Sequence, residues 1–211
     1  MYSRLIQNLS LRLTDALPSA LAHDALRAIP IGTNLPKFEH KRPPRPGSVL
    51  ILLYEKDGKI FFPLIKRNEY KGAHSGQVSF PGGKAEPGED AIQTALREAE
   101  EEIGIDRNAV SVVGRLSEFF VIPSNFLVTP VVASTPLLPA FRPDPYEVQR
   151  ILHADLEDIV RDDAVKTKEI LAAGSFRMNA PHFEIEEEIV WGATAMMLNE
   201  LRLVIQEIGL R

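Results

Sequence analysis

Three carboxylates, Glu98, Glu101 and Glu102, stand at i, i+3 and i+4 within GKAEPGEDAIQTALREAEEEIGI, residues 83 to 105. On a helix that spacing brings them onto one face. Like charges held so close repel, and the repulsion costs stability unless a cation sits among them. The chain has no Cys, and no His lies in this segment. Hard oxygen donors without sulfur or imidazole suit Mg²⁺ or Mn²⁺. Such a cation neutralises anionic oxygens and acidifies water. Around the carboxylates stand Arg97, Glu89 and two glycines, Gly83 and Gly104, which open and close the segment.

A helix must present these groups, and the segment encodes one. Ile92, Ala95, Leu96, Ala99 and Ile103 form an apolar stripe at i, i+3, i+4, i+7 spacing. Asp90 with Gln93 three residues on predicts an N-cap and capping box, and Gly104 predicts the stop. The helix is therefore expected over 91–103, one side in a core and the other facing a site. The short run REAEEE alone reads more simply as a solvated acidic face. The longer pattern changes that reading.

Gly83, five residues, Glu89, seven residues, Arg97-Glu98, Ala99, one residue, Glu101-Glu102, one residue, Gly104 and Ile105 follow in order. This resembles the Nudix box. With each specified residue at about 7% usage, a chance match has a probability on the order of 10⁻⁶. The resemblance implies an α/β chain, a Nudix-type α/β/α sandwich with a mixed β-sheet, and metal-dependent cleavage of a diphosphate. By the same resemblance Glu98, Glu101, Glu102 and the backbone carbonyl of Gly83 hold Mg²⁺ or Mn²⁺. Arg97 and Glu89 pair to fix the loop at 84–88 against the helix start. The general base in this family often lies outside the box. Glu147, Glu118, Glu186, Glu187, Glu188 and Glu101 are candidates, with Glu101 or Glu147 favoured.

Upstream, PLIKRNEYKGAHSGQVSFPGG at 63–83 resembles the signature of Nudix hydrolases that cleave coenzyme A. Leu64, Ile65, Arg67, Gly76, Val78, Phe80, Pro81, Gly82 and Gly83 carry the match. Gly72 departs from it, standing where the group usually has Arg, with Lys71 beside it. An ammonium does not replace a bidentate guanidinium at a phosphate. The resemblance implies a small-molecule diphosphate substrate of the coenzyme A type, cleaved to 3′,5′-ADP and 4′-phosphopantetheine. Arg67, Lys71 and His74 are the expected substrate-binding residues. A pyrophosphatase for ADP-ribose or another nucleoside diphosphate derivative is the alternative within the class. A non-catalytic Nudix-fold binding module is the alternative outside it, and the intact carboxylates argue against that.

The rest of the chain sets limits. Its 211 residues are 45% hydrophobic, with 24 basic and 29 acidic residues for a net charge of −5. No basic block stands out, which predicts no nucleic-acid partner. No apolar run approaches membrane-spanning length, and no signal sequence is evident, so no membrane partner and a cytoplasmic setting are expected. There is no P-loop Lys, G-x-S-x-G elbow or metal-spaced His set. Residues 1–46 are expected to form an N-terminal helical extension and Pro-rich connector, and 47–211 the Nudix domain. The helices at 3–28, broken at Pro18, would pack on the domain or on a second subunit, which leaves a homodimer open. Strands are expected at 48–54, 60–66, 77–80, 110–122, 127–133 and 147–152. A short helix is expected at 154–160, then a hairpin over 165–191 turning at Asn179-Ala180-Pro181, and a final helix to about residue 208.

Overall fold

The computed structural model describes residues 1–32, 38–69, 75–172 and 176–210. The chain opens with helices α1 (Tyr2–Arg12) and α2 (Ala20–Ala25) and the short strand β1 (Ile29–Pro30). Strands β2 (Arg45–Lys56) and β3 (Lys59–Arg67) make a hairpin around Asp57-Gly58, followed by β4 (Val78–Ser79), β5 (Gly82–Lys84) and helix α3 (Ala91–Ile103). Next come β6 (Ser111–Arg115), β7 (Phe119–Val121), β8 (Phe126–Thr135), β9 (Val148–Asp155) and helix α4 (Leu156–Val160). The chain closes with β10 (Lys166–Ala172), β11 (Phe176–Ile185), β12 (Glu188–Trp191) and helix α5 (Gly192–Ile208).

The main sheet follows the order β4-β3-β2-β8-β6, with β9 on β3, β5 on β2 and β7 on β8. It is mixed, because β2 and β8 run parallel while their other pairings are antiparallel. Residues Val49 to Tyr54 read as a continuous apolar run because β2 is covered on both faces. Leu50 and Leu52 pack with Val131 and Ala133 against Ala95, Ala99 and Ile103 of α3. Ile51 and Leu53 point the other way, into a core with Leu5, Leu9, Leu198 and Leu201 from α1 and α5. The result is helix, sheet, helix, the α/β/α sandwich. A second sheet, β1-β11-β10 with β12 on β11, lies beside it.

The N-terminal helices share this core, with Leu5, Leu9 and Leu26 buried. The Tyr2 hydroxyl reaches the carbonyl oxygens of Leu53 at 2.8 Å and Thr135 at 2.9 Å. The Pro-rich stretch is less irregular than expected. Ile29 and Pro30 pair with Asn179 and Met178, and β2 begins at Arg45.

The turn expected at Asn179-Ala180-Pro181 is not where the chain reverses. These residues lie inside β11, which pairs with β10 from Lys166↔His182 to Ala172↔Phe176. Pro181 falls between the end of the β1 pairing at Asn179 and the start of the β12 pairing at His182. No ladder bond is asked of it on that edge. The reversal into β12 is made by Glu186 and Glu187, at φ 47 and 69. Neither is the Gly or Asn that normally marks such a turn.

Candidate active site

Helix α3 starts and stops as its sequence dictates. The Asp90 carboxylate accepts from the N–H of Ile92 and of Gln93, and the Gln93 side chain accepts from the Asp90 N–H at 2.9 Å. Gly104 takes the left-handed conformation at φ 69. Between these caps the helix buries Ala95, Ala99 and Ile103 and turns Glu98 and Glu102 toward β5 and β3, while Glu101 stays exposed beside Arg97. Strand β5 runs antiparallel beside β2, with Gly83 opposite Ser48. This brings the Gly82-Gly83 backbone onto the acidic face.

Glu102 is 2% exposed. Its Oε2 accepts from the Gly82 N–H at 2.7 Å and its Oε1 from Arg67 Nη1 at 3.3 Å. Burial outweighs these donors, and Glu147 and Glu98 add repulsion, so its pKa is pushed up to about 7. Burial also raises Glu98, against the opposing pull of Arg97. The Glu98 carboxylate lies so near Gly83 that a Cβ there would collide with it. Only glycine fits. Gly47, across the pairing, likewise leaves the Gly83 carbonyl oxygen uncovered, since a Cβ at 47 would come within 2.7 Å of that oxygen.

Arg97 joins the box together. Its Nε and Nη2 donate to the two oxygens of Glu89 at 2.7 and 3.0 Å, and Nη2 also reaches the Lys84 carbonyl at 3.1 Å. Its Nη1 donates to Glu98 at 2.9 Å and Glu101 at 3.0 Å. Glu89 in turn accepts from the Glu86 N–H at 2.9 Å, closing the loop between strand and helix. The Arg97 hydrogen bond, foremost among several causes, holds the Glu89 carboxyl down at about 2.

Arg67 ends β3, at a register shift where Lys66 pairs with Arg150 but Arg67 with Val148. Such a bulge re-aims a side chain. Here it sets Arg67 Nη2 3.9 Å from a Glu147 oxygen, while Arg67 Nε is buried with no hydrogen-bond partner among the described residues. Of the expected site residues, Gly83, Glu89, Arg97, Glu98, Glu101, Glu102 and Arg67 come together. Lys71 and His74 lie outside the described residues. Among the base candidates Glu147 is at the site and Glu118 is exposed near Thr129, at 3.4 Å. Glu186 and Glu188 are engaged by Arg150 and by Arg150 and Lys66.

A cleft of about 290 Å³ adjoins Gly82 and Gly83, walled by Arg67, Phe80, Val121, Phe126 and Met197. Sequence reasoning placed Met197 only on a helix and Val121 only in a strand. Nothing in a local pattern says that they meet at a cleft. The Phe126 wall is braced by Arg45, whose guanidinium carbon lies 4.1 Å from the ring centre and whose Nη2 donates to Ser124 O at 2.9 Å.

Among the described residues no three acidic or imidazole side chains form a ready-made metal cluster. Arg97 holds Glu98 and Glu101, and Glu102 turns to Gly82 and Arg67. The donor set still fits a hard divalent cation. Two partly or fully buried carboxylates, Glu98 and Glu102, have their ionised forms disfavoured by burial and by repulsion from neighbouring carboxylates. A cation between them relieves both.

The NUDIX domain family matches residues 44–179, and the chain belongs to the Nudix hydrolase family. It is similar to the Arabidopsis thaliana protein named Nudix hydrolase 22, chloroplastic, at 37% identity over 78% of this chain and 56% of that protein. It is similar to the Yersinia enterocolitica protein named uncharacterized Nudix hydrolase NudL, at 36% identity over 65% of this chain and 70% of that one. The chain thus spans little more than half the length of the plant relative. In fold it resembles the crystal structure of a Nudix hydrolase from M. smegmatis, RenU, with TM-score 0.53 and 16% identity over 79% of this chain and 90% of the other. No described helix is long and apolar enough to cross a membrane.

Proposed function

We propose that this protein hydrolyses the diphosphate bond of a nucleoside diphosphate derivative, and specifically one of the coenzyme A type. The observation that carries the reaction is the meeting of Glu98 and Glu102 with the glycine backbone of β5 and with Arg67. Glu98, Glu102, Glu101 and the Gly83 carbonyl would hold Mg²⁺ or Mn²⁺. When bound, that cation supplies charge neutralisation at the diphosphate and acidifies water.

The chain's own residues do the rest. Arg67 offers its buried, unpartnered Nε–H to a phosphate oxygen. Glu147, about half exposed and beside Arg67, accepts the proton of the attacking water. Water oxygen bonds to phosphorus and the bridging P–O bond breaks, its electrons leaving with the second phosphate. Arg97 keeps Glu89, Glu98 and Glu101 in register.

Support for the coenzyme A type comes from the signature at 63–83 and from the apolar cleft walled by Phe80, Val121, Phe126 and Met197, which suits a flexible, weakly polar arm. Coenzyme A, its 3′-dephosphorylated form, ADP-ribose and other nucleoside diphosphate derivatives, assayed with Mg²⁺ and with Mn²⁺, test this. Coenzyme A should have the highest kcat/KM and yield 3′,5′-ADP. Faster cleavage of ADP-ribose would contradict the coenzyme A type and leave the reaction standing.

A further inference from the structure

Tyr146 is 89% exposed, the most exposed large apolar side chain among the described residues. It is not on a slack loop. Its N–H donates to Asp144 Oδ1 at 2.7 Å, and the carbonyl of the preceding Pro145 accepts from Asn68 Nδ2 at 2.9 Å. The Asn68 N–H donates to Glu147 O at 3.1 Å, and the Asp144 N–H to Glu102 O at 2.9 Å. The ring is therefore presented by a segment tied both to the end of β3 and to the carboxylate-bearing end of α3. Holding an uncovered aromatic ring in a fixed place is a feature of binding surfaces.

A second cavity, of about 410 Å³, lies between Tyr146 and Glu147 on one side and Arg67, Asn68 and Glu69 on the other. Arg67 lines both this cavity and the apolar cleft. A diphosphate at Arg67 would thus send one half of its molecule each way. Glu69 and Glu147 make the second cavity receptive to N–H donors. The group that fits is a flat, uncharged ring carrying an amino group.

We propose that Tyr146 is the stacking platform for the amino-bearing base of the substrate's nucleotide half, with Glu69 at the edge of that base. The choice of half rests on the diphosphate-hydrolase reading above. Tyr146 determines specificity and takes no part in bond breaking.

Calorimetric binding of AMP and of ribose 5-phosphate, each with Mg²⁺, tests this on the wild type, Tyr146→Ala and Tyr146→Phe. Loss of a base-stacking ring weakens binding by about tenfold. Tyr146→Ala should lose that much affinity for AMP and none for ribose 5-phosphate, while Tyr146→Phe keeps wild-type affinity. Thermal midpoints should be unchanged, since an exposed ring supports no core. Unchanged AMP affinity in Tyr146→Ala overturns the proposal. So does an equal loss for ribose 5-phosphate, a fall in thermal midpoint, or a wild type that does not bind AMP. A wild type that binds AMP through Tyr146 yet cleaves no diphosphate defeats the hydrolase reading and leaves this one standing.

Discussion

Glu102 and Glu147 are both carboxylates near Arg67, and their surroundings differ as the two proposed roles require. Glu102 is almost fully buried and pushed up to about 7, a state that a cation would reverse. The Glu147 side chain is 57% exposed, with access to water. A proton acceptor needs that access, and a metal ligand does not. Glu147→Gln is expected to lower kcat by about 10²–10⁴ while changing KM little, the usual weight of a general base. Steady-state kinetics at saturating Mg²⁺ check this, and a wild-type kcat would exclude Glu147 as the base. The three box carboxylates were legible in the sequence because helical period alone puts i, i+3 and i+4 together. Glu147 was favoured together with Glu101, and nothing local in the sequence decided between those two. The approach of Glu147 to Arg67 depends on a bulge and a loop, and neither has a local period.

At the level of elements, α3 and its preceding loop behave as one unit gripped by Arg97. Arg97→Ala should lower the thermal midpoint by releasing Glu89 and the Lys84 carbonyl together, and activity should fall with it. An unchanged midpoint with vanished activity would instead give Arg97 a direct place at the substrate. The pair also carries a pH signature. Glu89 falls from an ordinary value of 4.5 to about 2 in the folded chain. A carboxyl lowered on folding adds stability that is complete above its unfolded value and is lost as pH falls through the folded one. The stability gap between wild type and Glu89→Gln should therefore be full above about 4.5 and close toward about 2. Denaturant titrations across that range measure it. The caps of α3 were readable because Asp90, Gln93 and Gly104 each have a known local use. The turn at Glu186-Glu187 was not, because two glutamates in the left-handed region follow from tertiary ties such as Arg150 to the Glu186 carbonyl at 2.9 Å.

Across the whole molecule, one buried carboxylate fastens the N-terminal helices to the sandwich. Glu200 of α5 is fully buried and accepts from the N–H of Ser19 at 2.7 Å, and from the N–H and hydroxyl of Ser117 at 3.0 and 2.6 Å. His23 Nε2 lies 3.3 Å away. Burial works to raise this carboxyl, yet its hydrogen bonds together hold it below its ordinary value. Glu200→Ala would strand two part-buried backbone donors and should cost about 2 kcal/mol of folding stability, read as a lower denaturation midpoint. The sequence showed helices and a Pro18 break at the N-terminus but not their anchor, since a glutamate within an apolar helix carries no mark of its partners.

The central claim is that the carboxylate face of α3, set against Gly82 and Gly83, breaks a diphosphate bond with a divalent cation. Glu98→Gln keeps the size of the side chain beside Gly83 and removes its charge. The direct measurement is kcat/KM for diphosphate hydrolysis by wild type and Glu98→Gln at saturating Mg²⁺, with thermal midpoints recorded on both. The prediction is a fall of about 10²–10⁴ in the variant with an unchanged midpoint. Hydrolysis by Glu98→Gln at the wild-type rate would contradict it.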